Sequence, residues 1–387
     1  TTAPSRTPSG STANSSPTPA APDATAPAHS EPPQSYTHRR KHMSTSATTA
    51  PYGVAVIGCG AMGGAHAAAW SARDDARILS VYDPDTARMA ALAERTGAAP
   101  ASSWQAAIET DGVDMVSVCT PICFHAEMTI HAAACGRHVL TEKAIALTLE
   151  DADAMIAAAE ENAVKLVVAY QHRAAPPHRT WRRLVRDGVL AGPLFIRLQD
   201  VRGIRPKTAM HRISENGGPV IDMAGHYFDL VRFFTGAEPL RVSAQGHCFG
   251  RGRPQLAAFD DIAIDAAEIL VEYTDGHVLS TCVNWGLPWG HAGRGEEYIV
   301  SRDTVSTMAA ENRVAVRYAD REVIYDPEDA PSGTAVRVAD LVEAVANDTR
   351  PDVAGEDGRV ALACCLAALE SIETGRTVTL DARAAAG

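Results

Sequence analysis

The chain has 387 residues, 46% of them hydrophobic and 21% charged, a composition that is typical of a large globular protein and predicts two or three domains. Its formal net charge of −12 argues against nucleic acid or an anionic membrane surface as the main partner. No apolar run reaches the roughly 18 residues that a membrane-spanning helix needs.

Residues 1–50 differ in kind from the rest of the chain. Of the first 36 residues, 28 are Ser, Thr, Pro or Ala, and no apolar periodicity is present that could bury a core. The segment predicts a disordered tail without chemistry of its own. Met43 within it would make a reasonable translation start.

From Pro51 onward, short apolar runs alternate with helical patterns, which predicts a parallel sheet covered by helices on both faces. The predicted strands are 54–57, 77–82, 113–119, 138–141 and 165–169. The predicted helices are 61–72, 84–96, 103–109, 123–135 and 148–162. We therefore expect a doubly wound α/β domain over residues 51–173.

The first strand leads into a glycine-rich turn with the sequence Gly58-Cys59-Gly60-Ala61-Met62-Gly63, and the second strand ends at Asp83. Gly58 permits the tight turn, Gly60 lets the backbone approach a pyrophosphate, and Gly63 lets helix and strand pack closely. The N-terminus of the helix attracts phosphate charge. A purely structural turn is the alternative, but strand, helix and acid all stand at the spacing of a dinucleotide-binding unit.

Asp83 bears on the choice of cofactor. Its carboxylate can accept hydrogen bonds from both ribose hydroxyls and would repel a 2′-phosphate, and it can also cap the helix that follows. Arg88 lies about one turn further on and could tolerate a phosphate. The sequence therefore predicts NAD as the cofactor, with NADP also possible.

After Gln171 the pattern changes, and residues 174–387 predict an α+β domain with a mostly antiparallel sheet. A helix at 177–187, a strand at 194–202 and a long helix at 218–235 come first. The strands that follow, 240–249, 261–273, 277–285 and 296–307, have no helices between them, and Asp275-Gly276 is a hairpin signal. Helices at 334–347 and 357–374 complete the predicted elements.

Two segments place polar residues at the carboxyl ends of parallel strands, where open α/β sheets bind their ligands. Thr120 and Pro121 end one strand and are expected beside the nicotinamide ribose, and His125 either lines the same crevice or packs in the next helix. Glu142 and Lys143 end the next strand. A lysine there can stabilise a developing alkoxide, although an exposed lysine in a loop is the alternative.

A third segment carries Asp222, His226 and Asp229 at the spacing of one helix face. An aspartate one turn before a histidine can orient the imidazole and raise its basicity, which prepares a general base. A structural pair is an open alternative, whereas a metal site is not expected, because no other ligand cluster accompanies these residues. The eight cysteines contain no CxxC pair, which predicts reduced thiols and a cytoplasmic location.

Together these motifs resemble the Gfo/Idh/MocA family of sugar and inositol oxidoreductases over about residues 52–380. The family's glycine turn matches Gly58 to Gly63, its Thr-Pro…His segment matches Thr120-Pro121…His125, and its Asp-x-x-x-His helix matches Asp222…His226 after a Gly-Gly pair. Near the C-terminus, Ala354-Gly-Glu-Asp-Gly358 matches a further family motif. The family's Glu-Lys-Pro motif corresponds to Glu142-Lys143-Ala144, and Ala144 in place of proline leaves open whether the Lys143–Ala144 bond is cis or trans.

The resemblance implies an NAD(P)-dependent dehydrogenase or reductase that acts on a ring hydroxyl or ketone of a sugar, inositol or related cyclic polyol. His226 would move the hydroxyl proton, Asp222 would support it and Lys143 would stabilise the oxyanion; whether Lys143 or His226 makes the first transfer stays open. Glu142 and Arg173 are expected on the cofactor side. The residues expected to contact substrate are His172, Asp200, Arg202, Asp229 and Trp285.

Two other functions stay open at this point. Some similar proteins keep NAD bound and use transient oxidation to cleave a glycoside or eliminate a group, and a dinucleotide-binding regulator would need no catalysis. The predicted antiparallel sheet also offers a broad face for self-association, and the resemblance implies a homo-oligomer, either a dimer or a tetramer.

Overall fold

The computed structural model describes residues 51–291, 293, 295–327 and 330–380, so the predicted tail at 1–50 lies outside the described residues. Its first sheet has six parallel strands in the order β3-β2-β1-β4-β5-β6. The strands are β1 (Tyr52–Ile57), β2 (Ala76–Tyr82), β3 (Ala99–Pro100), β4 (Val113–Val118), β5 (His138–Thr141) and β6 (Leu166–Val168). Five of these were predicted, and β3 was missed because it has only two residues.

The helices of this half are α1 (Ala61–Ser71), α2 (Thr86–Thr96), α3 (Trp104–Ile108), α4 (His125–Ala134) and α5 (Leu149–Glu161). Polar side chains fix three of their starts: Asp85 caps α2, Ser103 caps α3 and Thr148 caps α5. The alternative in which Asp83 caps α2 is therefore wrong, since the cap is two residues further on. A short 3-10 helix, Ile122–Phe124, precedes α4.

The alternation of side chains along β1 separates two hydrophobic cores. Ala55 and Ile57 pack with residues of α4 and α5 on one face of the sheet. Val54 and Val56 pack on the other face with Trp70 of α1 and Leu92 of α2. The sheet is thus covered on both faces, as the unbroken apolar runs of its strands predicted.

The second sheet has nine strands in the order β14-β13-β12-β11-β7-β10-β9-β8-β15. Its strands are β7 (Phe195–Gly203), β8 (Pro239–His247), β9 (Ala266–Tyr273), β10 (Val278–Leu287), β11 (Glu297–Val300), β12 (Val305–Met308), β13 (Val314–Arg317), β14 (Glu322–Tyr325) and β15 (Val378–Thr379). Every neighbouring pair is antiparallel except β7 and β10. The predicted fold class is confirmed.

Two predicted elements of this half are each divided in the structure. The strand expected at 296–307 is a hairpin of β11 and β12, whose turn Ser301 stabilises by bonding to Thr304. The helix expected at 218–235 is interrupted at Met223, between α7 (Pro219–Asp222) and α8 (Ala224–Thr235). The interruption means that residues 222, 226 and 229 do not share one continuous helix face.

The remaining helices are α6 (Pro176–Arg186), α9 (Gly333–Asn347) and α10 (Gly355–Thr374). Helix α9 returns to the first sheet, because its Val338, Leu341 and Val342 belong to the same core as Val54 and Val56 of β1. The described residues, from Pro51 onward, belong to one compact unit. A boundary between 51–173 and 174–387 stays a prediction, and α9 crosses back over it.

Candidate active site

The glycine turn leaves a free helix N-terminus beside an open space. Gly58 has φ of +91°, and a Cβ on Gly63 would lie 1.8 Å from the carbonyl oxygen of Gly58, so only glycine fits at both positions. A Cβ on Gly60 would meet only the tip of Arg88, at 3.9 Å. In the part of the chain that the structure describes, no side chain caps α1, so the amides at Ala61, Met62 and Gly63 remain available for an anion.

Asp83 is held by this turn at the end of β2. Its Oδ2 accepts a hydrogen bond from the amide of Cys59 at 2.7 Å, and its Oδ1 accepts one from the amide of Asp85 at 2.8 Å. Burial, with the Asp83 charge beside it, raises the pKa of the Cys59 thiol to about 12, so this thiol stays protonated. Arg88 pairs with Asp85 at 2.8 Å on the surface.

The chain after β4 contributes the half-buried Thr120 and Pro121. His125 is fully buried, and its ring nitrogens lie 2.9 Å from the carbonyl oxygen of Ala144 and 3.1 Å from that of Thr120. His125 therefore ties the end of β4 to the turn after β5, and it acts on the crevice through the backbone that it holds. Burial lowers the pKa of His125.

Lys143 and Asp222 meet at the end of β5. The Lys143 ammonium contacts a carboxylate oxygen of Asp222, and it donates to the Asp222 carbonyl oxygen at 2.6 Å. The other carboxylate oxygen accepts a hydrogen bond from Asn216 at 3.2 Å. An ammonium has three donors, so one N–H of Lys143 is left for another oxygen. The Lys143–Ala144 peptide bond is cis.

Behind Lys143, Glu142 is the centre of a buried polar network. Its Oε1 accepts hydrogen bonds from His66 at 3.0 Å and from Gln171 at 2.9 Å. Burial disfavours the imidazolium of His66, but Cys119 and Glu142 outweigh it and raise the pKa of His66 to about 10. Glu142 thus holds His66 and Gln171 in fixed positions behind Lys143.

His226 lies against His172 rather than against Asp222. The two imidazole rings are stacked with their centroids 4.0 Å apart, and the Tyr170 ring lies nearly perpendicular to that of His226, with centroids 5.4 Å apart. Burial, with His172 and Lys143 adding repulsion, brings the pKa of His226 well below its usual range, and burial likewise lowers the pKa of His172 to about 3. The predicted support of His226 by Asp222 is therefore wrong in its geometry, since that carboxylate holds Lys143 and Asn216 instead.

Arg173 and Asp229 form a buried ion pair. Both carboxylate oxygens of Asp229 accept from the Arg173 guanidinium, one of them at 2.8 Å from Nε, and Asp357 approaches it at 3.3 Å. Arg173 and Asp229 are 6% and 1% exposed. The structure thus places them in the interior, against the predicted contacts of Arg173 with cofactor and of Asp229 with substrate.

Asp200, Arg202 and Trp285 lie together where β7 meets β10. Trp285 Nε1 donates to Asp200 Oδ2 at 2.6 Å, and Arg202 Nε donates to Asp200 Oδ1 at 2.8 Å. Arg205, which the sequence analysis missed, lies over the Trp285 ring with its Cζ 5.3 Å from the ring centroid. Sequence patterns also gave no signal for Asn216, His211 and Gln171. The first two bond to residues six positions away, Asp222 and Arg205, on irregular chain without periodicity, and Gln171 bonds to Glu142, 29 residues away.

One group of possible metal ligands occurs among the described residues: Glu109, His131 and Cys135. These residues lie at the C-terminal ends of α3 and α4, where the parallel strands begin, whereas Lys143 lies where β5 ends. Within the part of the chain that the structure describes, no helix is long and apolar enough to cross a membrane.

The features at the carboxyl edge of the first sheet fit a dinucleotide. The free amides of α1 face an open space, as a pyrophosphate requires, and the Asp83 carboxylate is fixed at the strand end where a ribose binds. Beside them lie the Lys143 ammonium, which has one N–H not bound by Asp222, and the neutral imidazole of His226. Fold and site together define a Rossmann-fold oxidoreductase that uses NAD.

Two family models match successive parts of the chain. One, described as an oxidoreductase family with an NAD-binding Rossmann fold, matches residues 52–170, and the GFO/IDH/MocA C-terminal domain matches residues 178–302. The chain belongs to the GFO/IDH/MocA family of NAD-dependent oxidoreductases.

Individual relatives agree with this assignment. Myo-inositol 2-dehydrogenase of Thermotoga maritima is 26% identical over 335 residues, which cover 85% of this chain and 98% of that protein. D-glucoside 3-dehydrogenase of Escherichia coli is 33% identical over 217 residues, covering 54% and 60%. The crystal structure of an oxidoreductase domain protein from Kribbella flavida has the same fold, with a TM-score of 0.77 and 24% identity over 86% of this chain and all of that one.

Proposed function

We propose that this enzyme transfers hydride between NAD and a ring hydroxyl or ketone of a sugar or cyclic polyol. The observation that carries the proposal is the contact of the Lys143 ammonium with Asp222, next to a neutral His226, at the strand ends beside the glycine turn. The relatives named for an inositol and a glucoside act on substrates of this class.

Lys143 is suited to bind the oxygen that reacts. Two of its three donors are fixed by Asp222, which directs the third. An ammonium held in advance stabilises an alkoxide as its charge develops, without reorganisation of water. NAD, when bound, accepts or supplies the hydride at its nicotinamide ring.

His226 is suited to move the hydroxyl proton. Its Nδ1 is enclosed and has no hydrogen-bond partner among the described residues, so the proposed exchange takes place at Nε2. Burial and His172 keep the ring neutral, which leaves a ring nitrogen with a lone pair for the hydroxyl proton. His172 fixes the plane of the ring by stacking, and His172 is itself placed by its carbonyl oxygen, which accepts from His178 Nδ1 at 2.8 Å.

The test is NADH formation by the purified protein with NAD and a panel of inositols, aldoses and glycosides. We expect turnover with one class of ring polyol, loss of turnover in His226→Asn and normal turnover in the surface variant His131→Asn. A glycoside that is consumed without net NADH would instead show a cycle in which NAD returns unchanged. NAD binding without any turnover, unaltered by His226→Asn, would refute an enzymatic function.

We also propose that the second sheet forms an interface between copies of the chain. Phe195, Leu270, Val305 and Ile324 are 40–59% exposed, and the strand register places all four on one face. An exposed apolar sheet face is typical of an association surface. Sedimentation of the wild type against Leu270→Glu should show a dimer or tetramer that dissociates in the variant. The eight unpaired cysteines support a reducing cytoplasm as the place of action.

A further inference from the structure

Arg205 is a half-buried cation for which the described residues provide no carboxylate partner. Its guanidinium rests on the ring of Trp285, at 5.3 Å from the centroid, and its own backbone amide donates to His211 Nε2 at 2.9 Å. The Trp285 ring supports the side chain and the His211 contact fixes the backbone, but neither neutralises the charge of the guanidinium.

The nearest acids are engaged elsewhere. Asp200 accepts from Trp285 through one oxygen and contacts Arg202 through the other. Asp222 is shared between Lys143 and Asn216. Each acid therefore already has a cation of its own, and Arg205 remains in excess.

Arg205 belongs to the same crevice as the reacting groups. It lies on the loop that leaves β7 and leads through His211 to Asn216 and Asp222. Burial lowers the pKa of Arg205, and Arg202, Asp200 and Asp222 are the charges near enough to act on it.

The other charged groups around Arg205 are balanced in pairs. Lys143 balances Asp222 and Arg202 balances Asp200. The histidines there add none, because burial lowers the pKa of His211 to about 4 and that of His172 to about 3. A half-buried guanidinium without a partner is matched best by an oxyanion, to which it can donate two hydrogen bonds.

We propose that Arg205 binds an anionic group of the substrate, a carboxylate or a phosphate, while the hydroxyl that reacts lies at Lys143 and His226. The enzyme would thus act on acidic sugar derivatives in preference to neutral ones. This inference rests on the proposed function and narrows its substrate class.

The test compares kcat/KM for matched substrates: a neutral aldose, the uronate with the same ring, the sugar phosphate and the nucleoside diphosphate sugar. We expect the best anionic substrate to exceed the neutral one by about 10- to 100-fold, the range of a charged hydrogen bond. The uronate and the two phosphate substrates distinguish a carboxylate from a phosphate. In Arg205→Gln the anionic preference should fall about tenfold or more, and Arg205→Lys should keep part of it.

The matched control is Arg302→Gln, which removes the same charge from the turn of the β11–β12 hairpin. Arg302 is 86% exposed, and the hairpin pairs with the opposite end of β7 from Arg205. The anionic preference should be unchanged in this variant. A neutral substrate turned over as well as the anionic ones, or an equal loss of preference in Arg302→Gln, would overturn the inference and leave the proposed function intact.

Calorimetric titration of the NAD-loaded enzyme with the uronate and with the sugar phosphate gives a readout that needs no turnover. Binding of one of them should weaken in Arg205→Gln but not in Arg302→Gln. Equal affinity in both variants would overturn the assignment of Arg205. Normal binding together with absent turnover would contradict the proposed chemistry alone.

Discussion

Replacing Lys143 by Met should affect stability and catalysis in separable ways. Lys143 and Asp222 have side chains that are 16% and 3% exposed, so the lost ammonium leaves a buried carboxylate that only Asn216 still contacts. Removing one partner of a buried ion pair lowers the free energy of unfolding by about 3–5 kcal/mol. Because Lys143 is partly exposed, we expect a loss at the lower end of this range, about 3 kcal/mol. Loss of a donor aimed at a developing oxyanion lowers kcat about 10²- to 10³-fold.

The double variant Lys143→Met/Asp222→Leu distinguishes the two effects. It removes the unpaired carboxylate together with the ammonium, so it should be more stable than the sum of the single changes implies. It should nevertheless remain inactive, because no donor is restored. Urea unfolding followed by tryptophan fluorescence measures the first quantity, and NADH absorbance under saturating substrate measures the second.

The control for these measurements is Lys165→Met. Lys165 pairs with Asp348, whose side chain is 93% exposed, so this surface pair should contribute less than about 1 kcal/mol. A Lys143→Met variant that is no more destabilised than Lys165→Met would contradict a buried ion pair at Lys143. So would single losses of stability that simply add in the double variant, and a double variant that recovers turnover would contradict the role of the ammonium in catalysis.

Further predictions concern pH, the cofactor and the interior. The pKa of His172 is about 3 in the folded protein and about 6.5 when unfolded. The stability that the neutral ring gives the folded state is therefore fully present above about pH 6.5 and is lost as pH falls toward 3. By about pH 5 this loss is about 2 kcal/mol, and urea unfolding of His172→Asn should show a correspondingly weaker acid dependence. Gly63→Ala places a Cβ 1.8 Å from a carbonyl oxygen, so NAD affinity measured by fluorescence titration should fall about tenfold or more, and unchanged affinity would argue against the turn as the phosphate site. Asp83→Ala should lower the ratio of kcat/KM for NAD over NADP, whereas a constant ratio would mean that Asp83 only orders the turn. Asp229→Asn should cost about 2–3 kcal/mol, less than a fully unpaired buried charge, because Asp357 and Asp352 still contact Arg173, and a loss below about 1 kcal/mol would contradict a buried pair.

Much of the first half could be predicted because its signals are local. The glycines of the turn, Asp83 at a strand end and the unbroken apolar strands each reflect constraints within about thirty residues. Lys143 could be assigned to the crevice from the rule that carboxyl ends of parallel strands share one edge. Hydrophobic periodicity gives a weak signal where an element is short or divided. This is why it did not predict the two-residue β3, the β11–β12 hairpin or the strands β13 and β14.

What the sequence determined by itself is therefore the kind of fold, the cofactor and the residue types brought to the crevice. Only the tertiary structure decided their partners: Lys143 with Asp222, 79 residues away, His226 with His172, and Arg205 with Trp285. Arg173 and Asp229, which share motifs with site residues, are turned into the interior, where they neutralise each other. Sequence periodicity records which face of an element is buried, but the contacts of a polar side chain depend on which distant segments cross beside it.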